Sequence, residues 1–182
     1  MSVHPDVHAA YDRACSAVSD IYQHLPILFR YASCCRHVTE FGTRTGVSTL
    51  AFLRAMPETL IAYDWVRLPE VDNLEKLARL QQIAFTFHEA DTRAAVIEPT
   101  DLLFIDTEHT RTQLEAELAA SASRVRRYLI FHDTETFGEH GPSGEEGLWP
   151  AIAGFVRSNP EWLLLEHRPN NHGLTVLVRL NA

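Results

Sequence analysis

The sequence predicts an α/β fold: a three-layer, doubly wound, mostly parallel sheet of seven strands whose last strand runs backwards. Three observations predict it. From residue 36 onward, short β-rich runs alternate with longer segments of helical spacing, the pattern of a parallel sheet covered by helices on both faces. Near the carboxyl end, only Glu166–Gly173 separates the last two runs, and it contains Pro169-Asn170-Asn171 and Gly173. A parallel crossover needs about a dozen residues or more, so these two strands must pair as an antiparallel hairpin. Finally, 182 residues with 46% hydrophobic and 22% charged side chains suffice for one self-contained core.

The elements follow in order. Val7, Tyr11, Ala14, Val18, Ile21 and Leu25 recur at three- or four-residue steps and predict an amino-terminal helix with one apolar stripe. Pro26 should end or kink it, with a second helical piece from Ile27 to Cys34. Residues 1–35 thus read as a helical segment packed on a domain spanning 36–182. The strand runs are His37–Phe41, Leu60–Tyr63, Phe85–His88, Leu102–Ile105, Tyr128–Phe131, Trp162–Leu165 and Leu174–Val178. Helical spacing covers Thr45–Met56, Asn73–Gln82 and Thr110–Val125. Half of the eight glycines, Gly138, Gly141, Gly144 and Gly147, fall in one loop, which reads as a mobile lid or a plain surface loop.

Composition removes whole function classes. Sixteen Lys and Arg against 24 Asp and Glu give a formal charge of −8, which repels a polyphosphate backbone. The one basic cluster, Arg124, Arg126 and Arg127, precedes the fifth strand and reads as solvated helix-end charge. No apolar run approaches the ~20 residues of a membrane span. Met1-Ser2-Val3-His4-Pro5-Asp6 lacks a signal-peptide pattern. Cys15, Cys34 and Cys35 are too few and wrongly spaced for a disulfide framework or a zinc site. A soluble, cytoplasmic protein is expected, with no nucleic-acid or membrane partner and with a homo-oligomer left open.

Ligands of parallel sheets bind outside the carboxyl ends of the strands. Five successive strands carry an acid at or just past that edge: Glu40, Asp64, Asp91, Asp106 and Asp133. Each alone also reads as a turn or cap residue. Together they make an electronegative rim that a cation or several ligand hydroxyls would relieve. Between the first strand and its helix lies Glu40-Phe41-Gly42-Thr43-Arg44-Thr45-Gly46-Val47-Ser48. A dinucleotide fingerprint would need glycine at 42, 44 and 47, and Arg44 and Val47 occupy two of those places. The chain also has no Gly-Lys-Ser/Thr sequence for a P-loop. What remains suits a nucleoside without a pyrophosphate, and Asp64 stands where an acid can accept from a ribose diol.

These residues resemble the class I S-adenosylmethionine-dependent methyltransferases, whose fold is Rossmann-like. Glu40–Gly46 is similar to the family's Glu-x-Gly-x-x-x-Gly motif, Ile61-Ala62-Tyr63-Asp64 to its second motif, and the terminal hairpin to its reversed seventh strand. A narrower likeness covers residues 36–180. Asp101–His109, Phe131-His132-Asp133-Thr134 and Asn171–Leu177 resemble a bacterial subfamily of cephalosporin hydroxylase-like and sugar O-methyltransferase-like proteins, several of which use a divalent metal. Members often carry glycine where Thr107 stands, and many have larger amino-terminal regions. This chain therefore reads as a trimmed version, with substrate contacts reduced or supplied by a partner.

The resemblance implies that Glu40, Gly42, Thr43 and Gly46 shape the methionine side of a cofactor pocket. It implies further that Asp64 holds the ribose, Asp91 with Thr92 faces the adenine, and Asp106 adjoins the cofactor. Ser48 is a candidate for the methionine carboxylate, or simply an early-helix serine. Asp106, His132 and Asp133 are a candidate set for magnesium or another divalent cation, His132 having a second reading as a packed strand histidine. His109, with Asp106, is a candidate for catalysis as a base of ordinary pKa near 6.5, or else a helix-end surface residue. The expected activity is methyl transfer to a hydroxyl of a small molecule or sugar. The rival readings are a metal-assisted hydrolase and a non-catalytic cofactor-binding or assembly module.

Overall fold

The computed structural model describes residues 6–180; residues 1–5 and 181–182, at the outer ends of the two expected segments, lie outside it. Seven strands form one sheet: β1 (His37–Phe41), β2 (Thr59–Asp64), β3 (Ala84–Glu89), β4 (Thr100–Ile105), β5 (Val125–His132), β6 (Trp162–Arg168) and β7 (Leu174–Arg179). Their order across the sheet is β3-β2-β1-β4-β5-β7-β6. The first five pair in parallel, while β7 pairs antiparallel with both β5 and β6, as the short hairpin connection requires.

Alternation along each strand divides the core. Val38, Leu60, Leu102, Phe104, Ile130 and Val176 face one layer, whereas Phe41, Ile61, Leu103, Ile105, Leu129 and Leu177 face the other. The first layer is covered by helices α1 (Val7–Ser16), α2 (Leu25–Ala32), α3 (Val47–Ala55) and α4 (Glu70–Leu80). The second is covered by α5 (Arg111–Ser121) and α6 (Leu148–Ser158). No described helix is long and apolar enough to cross a membrane.

Three expectations need correction. The amino-terminal stripe is not one helix. α1 starts with the Asp6 carboxylate accepting from the His8 N–H and stops at Ser16, Val18 is 87% exposed, and a short 3-10 turn at Tyr22–His24 leads into α2. Pro26 therefore sits in the first turn of α2, where a missing N–H costs nothing, rather than ending a helix. Helix α6 was not anticipated; Pro150 and Gly154 masked it, although Pro150 also falls in a first turn. Arg126 and Arg127 lie on β5 rather than at a helix end, and Arg126 pairs with Asp101 at 3.4 Å.

The strand order reverses between β1 and β4, which makes the gap between their following loops the topological switch point. Phe41 is in register with Ile105, and the Asp106 N–H donates to the Phe41 carbonyl at 2.9 Å. The two loops touch at Gly42, where a Cβ would lie 1.8 Å from the Asp106 carbonyl oxygen, on a backbone of φ +88°. Only glycine fits there.

Candidate functional site

The loop after β1 is organised by the acid of β2. The Arg44 N–H donates to an Asp64 carboxylate oxygen at 2.7 Å, and the Arg44 guanidinium pairs with Asp20 at 2.7 Å. Two adjoining cavities flank this loop and share Gly42, Arg44 and Asp106. One, of about 310 Å³, is walled by Ser19–Ile21, Thr43, Thr45, Val47 and Ser48. The other, of about 380 Å³, is walled by Asp64, Trp65, Thr92, Thr107 and Glu108. Trp65, 57% exposed beside Asp64, offers an aromatic face that sequence reasoning missed, although its place directly after the strand-two acid was a readable signal. A cavity of about 420 Å³ opens between α5 and α6 near Trp162 and Arg179. It is roomier but lies away from the carboxyl strand ends and their carboxylates, so the switch-point crevice is the better candidate.

Several expected ligand groups are engaged with the protein itself. Glu40 is fully buried and accepts from the Ser48 hydroxyl at 2.5 Å and the Thr49 hydroxyl at 2.6 Å. Burial pushes its carboxyl up to about 7 against those two hydrogen bonds. Ser48 thus buttresses Glu40. Asp91 accepts from the Arg93 N–H and is paired with the Arg93 guanidinium at 2.7 Å. The Thr92 hydroxyl donates to Glu117, a buried carboxylate on α5 that also accepts from Thr107 and Gln113. Thr107, standing where the resembled family often has glycine, is held in that network by its hydroxyl.

Four side chains converge at Asp106, which lines both cavities: Asp106, His109, His132 and Asp133. His109 Nε2 lies 2.8 Å from an Asp133 oxygen and 3.5 Å from Asp106. His132 Nδ1 lies 3.4 Å from Asp106 and 3.3 Å from Asp133. Asp133 reaches this place on a left-handed backbone, φ +60°, a strain of about 1–3 kcal/mol of the kind stored at functional sites. The His109 ring stacks on Phe137, the planes 6° apart at 4.6 Å, so the segment after β5 packs against the cluster.

Burial disfavours charge at both imidazoles, yet the facing carboxylates prevail and push His109 up to about 9 and His132 up to about 10. Burial likewise opposes the Asp106 and Asp133 charges, and the same histidines hold both carboxyls below the usual range. Geometry adds a second fact. His109 Nε2 and His132 Nδ1 are buried and make no aligned hydrogen bond to any described group. The other His132 nitrogen, Nε2, donates to the Asn171 carbonyl at 3.2 Å, an arrangement typical of metal-ligating histidines. Ligand atoms of Asp106, His109 and Asp133 all lie within 4.8 Å of one another. Mixed carboxylate and imidazole donors around one point fit a divalent cation such as magnesium or manganese.

Residues 39–134 match a family model described as a methyltransferase domain. No curated protein matches the sequence. Among solved structures, the chain is similar to the O-methyltransferase TomG of Streptomyces achromogenes, involved in tomaymycin synthesis and solved with S-adenosylmethionine. The identity is 15% over 94% of this chain and 90% of that one, with a TM-score of 0.65. An O-methyltransferase of Bacillus cereus in complex with S-adenosylhomocysteine matches at 15% identity over 95% and 90%, TM-score 0.64. The 1,6-didemethyltoxoflavin-N1-methyltransferase of Burkholderia thailandensis, with that compound and S-adenosylhomocysteine bound, matches at 16% identity over 96% and 84%, TM-score 0.66. At such identities the structural likeness establishes the fold.

Proposed function

The chain belongs to the methyltransferase-domain family, and from that premise we propose that it carries a methyl group from S-adenosylmethionine to a hydroxyl of a small molecule or sugar. The observation that carries the choice of acceptor is the His109–Asp133–Asp106–His132 cluster beside the paired cavities. A hydroxyl is a weak nucleophile that must lose a proton, and His109, once it has given up its own, supplies a nitrogen able to take one. S-Adenosylmethionine, when bound, supplies an electrophilic methyl on a sulfonium.

The chain's own residues do the rest. Asp64 would accept from a ribose diol, Trp65 would face the adenine, and the Gly42 turn would let a ligand approach the β1 backbone closely; all three line or adjoin one cavity. Ser19–Ile21 and the Arg44–Asp20 pair close the opposite end, over the methionine side. Holding the acceptor oxygen in line with the methyl is most of the catalysis such a reaction needs. His109 Nε2 is the atom that receives the hydroxyl proton, with Asp133 orienting the ring. Asp106, His132 and Asp133 would hold a divalent cation, which would supply Lewis-acid stabilisation of the alkoxide. The acceptor is a small molecule rather than nucleic acid, in keeping with the formal charge of −8. A hydrolase would have no use for the Asp64 crevice.

Titration with S-adenosylhomocysteine by calorimetry, followed by transfer of an isotopically labelled methyl group to a panel of hydroxylated small molecules, tests the proposal. Binding with label recovered as an ether supports it. Absence of binding by folded protein, or label recovered only on nitrogen or carbon, refutes it.

A further inference from the structure

We propose that Asn171 is a positioning residue that ties the wall of the methionine-end cavity to His132; for the identity of the ligand, this rests on the cofactor reading above. Asn171, His172 and Gly173 lead into β7, and all three take left-handed backbone angles, φ +46°, +71° and +97°. Residues with a side chain adopt that region rarely, so a run of this kind persists only where its surroundings over-determine it. Here they do. The His172 carbonyl accepts from the Glu135 and Thr136 N–H groups at 2.8 and 3.0 Å, which fixes the start of the segment after β5. At Gly173 a Cβ would stand 2.2 Å from the Glu135 nitrogen.

Asn171 uses its two halves for different purposes. Its side chain reaches the segment between α1 and α2: Oδ1 accepts from the Gln23 N–H at 2.9 Å and Nδ2 donates to the Ser19 carbonyl at 3.1 Å. That segment walls the 310 Å³ cavity and is pinned on its other side by the Asp20–Arg44 pair. The Asn171 backbone carbonyl accepts from His132 Nε2 at 3.2 Å and shares His24 Nε2, at 3.2 Å, with the closer Asn170 carbonyl at 2.9 Å. A carbonyl only accepts, so it fixes the proton on His132 Nε2 and leaves Nδ1 to face Asp106 and Asp133. His24 packs edge-on to the His132 ring at 5.5 Å and completes the bracket.

One residue therefore holds the cavity wall with its amide and the ring with its carbonyl. A ligand that presses on Ser19–Ile21 is felt at His132, and the state of His132 is felt by the ligand, because coupling between two sites is reciprocal.

Two variants separate the two halves. Asn171→Gly suits a left-handed backbone and keeps the carbonyl while deleting only the side chain. In ligand-free protein, it should speed amide exchange across residues 19–24 and leave the ring-nitrogen resonances of His132 as they are in wild type. It should also raise the dissociation constant for S-adenosylhomocysteine by about tenfold, the loss of two ordinary hydrogen bonds. Gly173→Ala forces the turn off Glu135 and should shift the His132 ring nitrogens. Wild-type exchange across 19–24 in Asn171→Gly overturns the proposal, as do unchanged His132 nitrogens in folded Gly173→Ala. The exchange and resonance measurements use no ligand, so they decide the matter even if wild-type protein binds no S-adenosylhomocysteine, a result that would sink the cofactor reading alone.

Discussion

Replacing Glu40 by glutamine should stabilise the protein above neutral pH and change little below pH 5. Glu40 is fully buried on β1, and burial raises its carboxyl from 4.5 to about 7 despite hydrogen bonds from Ser48 and Thr49. The folded chain therefore binds more protons than the unfolded chain between those values. Stability from this group is complete below about 4.5 and is lost as pH rises through about 7. At about 1.4 kcal/mol per pKa unit, the loss amounts to about 3 kcal/mol. Glutamine is nearly isosteric and stays neutral. Its amide nitrogen cannot accept from one of the two hydroxyls, a cost of about 1 kcal/mol that does not vary with pH. Urea denaturation of both proteins at pH 5 and pH 8.5, followed through the buried Trp162, gives the comparison. The stability difference should move in favour of Glu40→Gln by about 3 kcal/mol from the lower to the higher pH. An equal difference at both pH values would refute the assignment of the raised carboxyl to Glu40.

Other expectations bear on the crevice and the cluster. Asp64→Ala should weaken S-adenosylhomocysteine binding by about 1.5–3 kcal/mol, and Asp64→Asn by less, since the amide oxygen still accepts from the Arg44 N–H; equal affinities by calorimetry would contradict this. Asp133→Asn should abolish manganese binding measured by paramagnetic relaxation while leaving S-adenosylhomocysteine affinity within about twofold, because Asp133 lines neither cavity. In wild-type protein, the manganese affinity should rise by up to about one log unit per pH unit between pH 6 and 8, because His132 must lose a proton to ligate; a flat profile would count against His132 as a ligand. His109→Ala should lower turnover, and wild-type turnover in excess chelator should climb with pH toward about 9, where this imidazole loses its proton; a rate independent of pH over that range would remove His109 as the base.

Much of this architecture is legible in the residues because burial on two faces writes a local signal. Each of the seven strands coincides with an apolar run, and the reversed β7 follows from the brevity of Glu166–Gly173. Strand-end acids were legible for the same reason: topology alone brings Asp64, Asp106 and Asp133 to one edge. Illegible features depend on partners far away in sequence. Val18 and Ile21 continue the period of α1, but the helix stops at Ser16, and the Ser19 carbonyl and Gln23 N–H beyond it pair with Asn171, about 150 residues on. Glu117 sits on a helix face otherwise facing the core, and nothing near it announces that Thr92 and Thr107 from two different loops will donate to it. The raised pKa of His109 comes from Asp106, three residues earlier, and from Asp133, 24 residues later, and only the first of these is near it in sequence.

The charge balance of the cluster sets its own condition for activity. With both imidazoles protonated and both carboxylates ionised, the four groups neutralise one another, which is why so much titratable chemistry can be packed into a half-buried space. A protonated His109, however, has no lone pair for an acceptor hydroxyl. The resting arrangement and the working one therefore differ by at least one proton. Losing that proton unaided leaves a net negative cluster beside Glu40 and Asp64, which already oppose charge at this edge. A divalent cation in place of both imidazole protons would restore neutrality and leave the His109 nitrogen free at once. The need is electrostatic, and it is the same need that the crowded acidic rim declares in the sequence.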